Sequence, residues 1–207
     1  MDDVIPTAGA TAGPTSGPAA GPIDGPTLEA LAHDTARQAA GYLDAVTEVA
    51  AGSQPETALP VLLLAVSQVL QTGARLGAIR DVLPDEKFEP DPGPDADLEP
   101  VRAGLANILD GLDDYADVVD PLTAPEVARG ILSDDLADVA AALAHGLRHY
   151  EQGSVVEALW WWQFSYLSTW GDRAASALRV LLSVLGHLRL DADDEVVAEA
   201  QFEALHT

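Results

Sequence analysis

Apolar positions recur along most of this chain at helical spacing, with no run of strict alternation. From Thr27, the residues Leu28, Leu31, Thr35, Tyr42, Val46 and Val49 fall on one face of a 3.6-residue period, which predicts a helix to about Ala51. Ser53-Gln54-Pro55-Glu56 has the spacing of a capping box with an early proline, and a second helix is expected from Glu56 to about Val82. Its first half is apolar nearly all round, the mark of a central, buried helix. Gly73, Ala74 and Gly77 would let another element approach closely. Residues 84–100, with Pro84, Pro90, Pro92, Pro94 and Pro100, read as a long acidic loop. A short helix follows at about Val101 to Leu112, and then an acidic stretch, part helix and part turn. Thr123-Ala124-Pro125-Glu126 reads as the start of a further one- or two-turn helix. Ser133 opens the next helix, with Leu136, Val139, Ala140, Leu143, Leu147 and Tyr150 as its apolar face and Gly153 at its end. Ser154 to Glu157 opens a last helix that no proline interrupts before Leu190, with a bend expected at Gly171. The fold class is all-α: a single helical bundle of about five to seven helices over residues 27–190.

All four tryptophans lie in the stretch Trp160-Trp161-Trp162-Gln163-Phe164-Ser165-Tyr166-Leu167-Ser168-Thr169-Trp170. On a uniform wheel, Val156, Leu159, Trp160, Phe164, Leu167, Trp170, Ala174, Leu178 and Leu181 share the arc that faces the core. Gln163 projects into that arc, so its amide needs a buried partner. Trp161 falls on the polar stripe with Ser165, Ser168, Asp172 and Arg179. A tryptophan there is either covered by another element or a binding anchor, because tryptophan is enriched among interface hot spots. Trp161, Ser165 and Asp172 are the partner-binding candidates.

Residues 1–26 change the picture at one end. Gly-Pro recurs every four residues from Gly13 to Pro26, with almost no large apolar side chain, so this stretch is expected to be a disordered tail. A period of four excludes collagen. Residues 191–207 are acidic, with a short helix expected over Asp193 to Leu205.

Charge narrows the partners. Thirty-four acidic residues stand against ten basic ones, a net charge of −24. Each phosphate contact needs a cation, so direct nucleic-acid binding and anionic membranes are not expected. A basic protein partner suits this surface. The absence of cysteine excludes disulfides, thiol catalysis and cysteine-bound metals. The start Met1-Asp2-Asp3 has no secretory pattern, and the longest apolar run, Ala58 to Val66, is short for a bilayer, so a cytoplasmic protein is expected.

Two constellations could carry chemistry. His145 and His149, at i and i+4 with Asp138 on the same stripe, could hold zinc or nickel, although no third ligand is implied by spacing. That stripe lies opposite the apolar one, which places solvent beside it. Asp110, Asp113, Asp114, Asp117 and Asp120 crowd one region, and helical carboxylates can hold magnesium, but no matching second motif exists. Asp44 and Glu48 form a similar, isolated pair. Nucleophile elbows, phosphate-binding glycine loops and dinucleotide fingerprints are absent, and no cofactor is expected.

The segment from Glu157 to Tyr166, followed by Trp170-Gly171 and Ala177-Leu178-Arg179, resembles the bacterial domain-of-unknown-function family numbered 5063, over about Tyr42 to Leu190. The resemblance implies an all-helical domain and no established activity. Some members carry histidines flanking the Trp-Gly pair; Thr169 and Arg173 hold those places here, so no role carries over. Relatives encoded beside a recombination-mediator gene imply a DNA-maintenance setting. The function expected from the residues is a non-enzymatic protein-interaction or regulatory module. The alternative is a divalent-metal hydrolase acting on a nucleotide or phosphoester.

Overall fold

The computed structural model describes residues 27–84, 90–120, 122 and 124–190. The expected N-terminal tail and the acidic C-terminal extension lie outside these residues, as do residues 85–89 of the expected loop. The fold is mostly helical with one small sheet. In chain order it contains α1 (Leu28–Ala50), a 3₁₀ turn (Pro55–Thr57), α2 (Ala58–Ala78), α3 (Glu99–Ile108), β1 (Asp114–Asp120), β2 (Ala124–Ile131), α4 (Leu132–Glu151), α5 (Val155–Ser165), a π turn (Tyr166–Trp170) and α6 (Gly171–Leu190). The helices α1, α2, α4 and the α5–α6 rod enclose the core, with α3 packed against α1 and α4.

The helical faces follow from the apolar period. Leu31, Tyr42, Val46 and Val49 of α1, Leu62, Val66, Val69 and Leu76 of α2, and Leu132, Leu136, Val139 and Leu143 of α4 are buried together. The Tyr42 hydroxyl donates to the Leu136 carbonyl at 3.0 Å, and burial pushes its phenol well above the ordinary tyrosine range. The segment Pro55–Ala78 is long and apolar enough, by length and composition, to cross a membrane. Its apolar character serves the bundle, where its inner face packs on α1, α5 and α6. Two glycines of α2 form a seat for aromatic rings: a Cβ on Gly73 would lie 2.4 Å from the Tyr166 ring and 2.6 Å from Trp170.

The all-α expectation misses a hairpin. Residues 114–131 pair as antiparallel β1 and β2, with Tyr115 opposite Gly130 and Asp117 opposite Ala128. The supposed capping box at Thr123 to Glu126 leads into a strand. Along β1 the side chains do alternate, but in the inverted sense. Tyr115 and Asp117 turn toward the bundle, while Ala116 and Val118 face solvent. Polar anchors replace the usual apolar inner face. Tyr115 lies over Gly130, where a Cβ would come within 2.3 Å of the ring.

Helix starts also differ from their expected caps. Ser133 lies inside α4, whose first turn is capped from outside by Asp113. That carboxylate accepts from the Ser133 backbone N–H at 2.7 Å and from its hydroxyl at 2.8 Å. Ser154 precedes α5 without a side-chain cap bond.

The largest departure is in the tryptophan helix. The arc expected to face the core includes Phe164 and Leu167, yet they are 52% and 64% exposed. The buried set is Leu159, Trp162 and Gln163 before the π turn, Trp170 at its end, and Ala174, Ala177 and Leu181 after it. On a uniform wheel of about 100° per residue these positions already share one side, and Phe164 stands about 140° round from Leu159, outside them, so the expected core arc is too broad. A π turn over Tyr166–Trp170 joins α5 to α6. Tyr166 packs over Gly73 and Gly77, and Leu167 lies beside Gly77. Gly171, where a bend is expected, is the first residue of α6 directly after the π turn.

Candidate functional site

The inverted hairpin stands away from the bundle and leaves a cleft of about 460 Å³ between itself, the start of α4 and the π turn. Tyr115 and Asp117 of β1, Arg129 and Gly130 of β2, Asp134 and Asp135 of α4, Ser168 and Thr169 of the π turn, and Asp172 and Arg173 of α6 line it.

Ionic clips hold the walls. The Tyr115 hydroxyl donates to one carboxylate oxygen of Asp135, and Arg173 donates to the other at 2.8 Å. Arg173 also lies 3.1 Å from Asp138. Arg102 of α3 bridges Asp134 and Asp138 at 2.6 and 2.8 Å. Asp117 accepts from Ser176 and Arg179 of α6, which ties the hairpin to the bundle. Arg129 pairs with Asp114 on the neighbouring strand. Three of the four cleft carboxylates therefore have a cation. Asp172 is exposed and has no ion-pair partner among the described residues.

Protonation follows the same geometry. Burial raises the Asp135 carboxyl above the ordinary range, against the hydrogen bonds from Tyr115 and Arg173 that favour the anion. Burial also raises the Tyr115 phenol, helped by its bond to Asp135, so the hydroxyl remains a donor. Burial works against the Asp117 anion too, but Arg179, Ser176 and the Val118 backbone N–H outweigh it and hold that carboxyl low. Because the folded pKa of Asp135 is raised, its contribution to stability is full below the ordinary carboxylate value, about 4. That contribution is lost as pH rises through the folded value. The expected result is that the melting-temperature deficit of Asp135→Asn relative to wild type narrows from pH 4 upward. A deficit that stays constant or widens over that range contradicts the assignment.

The other candidates are dispersed. Trp161 is half-buried, its indole Nε1 donating to the Ala142 carbonyl at 3.0 Å and its ring 4.0 Å from that of His145. Ser165 is buried and donates to the Trp161 carbonyl at 2.6 Å. Of that stripe, Asp172 and Ser168 reach the cleft. Gln163 is 4% exposed. Its amide donates to the carbonyls of Leu76 and Arg80 at 2.8 and 3.3 Å, and its oxygen accepts from Val82 N–H at 2.8 Å. This side chain ties the chain beyond α2 to α5.

The histidine pair does not sit in solvent as its stripe suggested. His149 is fully buried, because α5 lays its tryptophans across α4, and its ring lies 5.2 Å from that of His145. His145 faces Arg148 and Asp95, while Asp138 is taken by Arg102 and Arg173. The aspartate cluster separates likewise: Asp113 caps α4, Asp114 pairs with Arg129, and Asp117 binds Arg179. Among the described residues no group of three or more histidines or carboxylates is placed to hold a metal ion. Sequence reasoning missed Tyr115, Asp135 and Arg173. The signal available for them was the odd-even polar spacing of Tyr115 and Asp117 within an acidic stretch.

Residues 26–187 match the profile of the family described as Domain of unknown function (DUF5063). Protein BF1032 from Bacteroides fragilis, known from a crystal structure, is similar in fold. Its TM-score is 0.60 and its identity 18%, over 73% of this chain and 90% of that one. At that identity the likeness shows the fold alone. No curated protein matches the chain.

Proposed function

Because the chain belongs to the DUF5063 family, whose description names no activity, we propose that it is a non-enzymatic interaction module whose hairpin cleft receives a basic side chain from a protein partner. The observation that carries this reading is the electrostatic state of the cleft. Its carboxylates Asp117, Asp134 and Asp135 are matched by arginines, and Asp172 alone of the four has no cation among the described residues. An incoming lysine or arginine completes the pattern. The Ser168 and Thr169 hydroxyls and the Tyr115 ring edge then supply the remaining polar and aromatic surface. The surrounding charge of −24 favours approach of such a partner over phosphate or anionic lipid. The DNA-maintenance setting implied by the family resemblance is compatible with a basic protein partner and requires no contact with nucleic acid.

The test is a calorimetric titration of the full chain with an arginine-containing peptide at moderate salt. Asp172→Asn should weaken binding roughly fivefold, the effect of an exposed charge pair worth about 1 kcal/mol. Glu48→Gln, which removes an equally exposed carboxylate from α1, should leave it unchanged. Equal loss in both variants would reduce the attraction to bulk charge and overturn the reading.

A further inference from the structure

Beside the cleft, the π turn opens a second depression. It has a volume of about 330 Å³ and is lined by Asp81, Val82, Leu83, Trp160, Gln163, Phe164, Leu167 and Ser168. Three of its apolar walls are strongly exposed: Leu83 at 74%, Leu167 at 64% and Phe164 at 52%. Trp160 and Phe164 stack with centroids 5.6 Å apart and rings 9° from parallel, which gives a flat aromatic floor. Gln163 holds the opposite wall in place through its bonds to Arg80 and Val82. Apolar surface so displayed at one place on an otherwise acidic protein marks an interaction site more often than chance exposure does.

Its position says what covers it. Ser168 lines both this groove and the acidic cleft, so the two depressions meet at one residue of the π turn. Asp81 adds a carboxylate to the groove and carries the negative field across from the cleft. A ligand spanning both must be basic at one end and apolar at the other.

We propose that the groove is the second subsite for the partner that enters the cleft, and that it takes a large apolar side chain lying within a few residues of the partner's basic one. This rests on the reading of the cleft given above. The π turn contributes Leu167 and Ser168 to it. Phe164, on the side of α5 away from the buried Trp162 and Gln163, and Leu167 of the π turn together face the groove. Gln163 is a positioning residue for the Leu83 wall.

The test uses the full chain and three peptides of equal length. One carries arginines and a single phenylalanine. The second has that phenylalanine replaced by serine, and the third has its arginines replaced by serine. The first should bind about tenfold more tightly than the second, as burial of one large apolar side chain allows. Phe164→Ser and Leu167→Ser, both at exposed positions, should abolish that difference and leave the second peptide's affinity intact. The third should bind weakly to every variant. Equal affinity for the first two peptides would overturn the groove subsite while leaving the cleft standing. Failure of both arginine peptides to bind would remove the cleft and the groove together. Self-association of the free chain that Phe164→Ser abolishes without changing peptide affinity would assign the groove to a second copy and overturn the proposal.

Discussion

Replacing Gln163 with leucine will destabilise the domain by about 3 kcal/mol, although the substitution is apolar and similar in size. The amide oxygen accepts from Val82 N–H, and the amide nitrogen satisfies carbonyls at the end of α2. Leucine leaves those backbone groups buried without partners, and each such group costs about 1–3 kcal/mol. Part of that cost is recovered if the chain after α2 moves into solvent, so the loss falls short of the full sum. Urea denaturation measures the free energy, and amide exchange at Val82 reports the local release. A loss below about 1 kcal/mol with Val82 still protected would contradict this role. Loosening of this wall also weakens the phenylalanine-bearing peptide more than its serine counterpart, because Leu83 follows Val82 directly.

Gly146→Ala will be at least as damaging, at about 3–4 kcal/mol. Trp162 is fully buried, and its Nε1 donates to the Leu143 carbonyl at 3.1 Å. A Cβ on Gly146 would stand 2.2 Å from that nitrogen and 2.5 Å from Cδ1. The indole must leave its seat, and the helix pair α4–α5 must spread. Overpacking of this kind costs about 1–3 kcal/mol, and loss of the buried hydrogen bond adds to it. Gly41→Ala is the matched control. That glycine lies mid-helix in α1 with nothing within 4 Å of its Cβ position. There the gain in helix propensity should stabilise by about 0.5–1 kcal/mol. Thermal unfolding of the two variants should therefore move in opposite directions. A Gly146→Ala protein as stable as wild type would show that the tryptophan seat is looser than its geometry implies.

Legibility of this fold in its sequence tracked the kind of signal each element carries. The faces of α1 and α4 follow from a plain 3.6-residue period of large apolar residues. The hairpin was hidden for a physical reason. Strand recognition looks for apolar residues on the inner side of an alternation, and here the inner positions are Tyr115 and Asp117, held by hydrogen bonds and ion pairs. Pro125 beside Glu126 then imitated a helix start. The π turn was hidden because a wheel assumes one rotation per residue. Phe164, which precedes the turn, and Leu167 were instead placed inside because the core arc was drawn too broad: Phe164 stands about 140° round from Leu159 and is exposed. The wheel also grouped Asp172 with Trp161 and Ser165, which the fold takes up internally. The cleft draws on α4, the hairpin and α6, elements far apart in sequence, so no local motif could announce it. Its ion pairs show a further economy. In a chain with ten basic residues, Arg102, Arg129, Arg148, Arg173 and Arg179 each clip one segment to another, and those clips leave Asp172 without a counter-ion among the described residues.

The most direct test of the cleft as a receptor for a basic side chain is amide chemical-shift mapping of the full chain during titration with the arginine-containing peptide. The account predicts saturable shifts centred on Tyr115, Ser168, Thr169, Asp172 and Arg173, with α1 unaffected around Asp44 and Glu48. Shifts spread over the acidic surface without saturation, or confined to a face away from the hairpin, would contradict it.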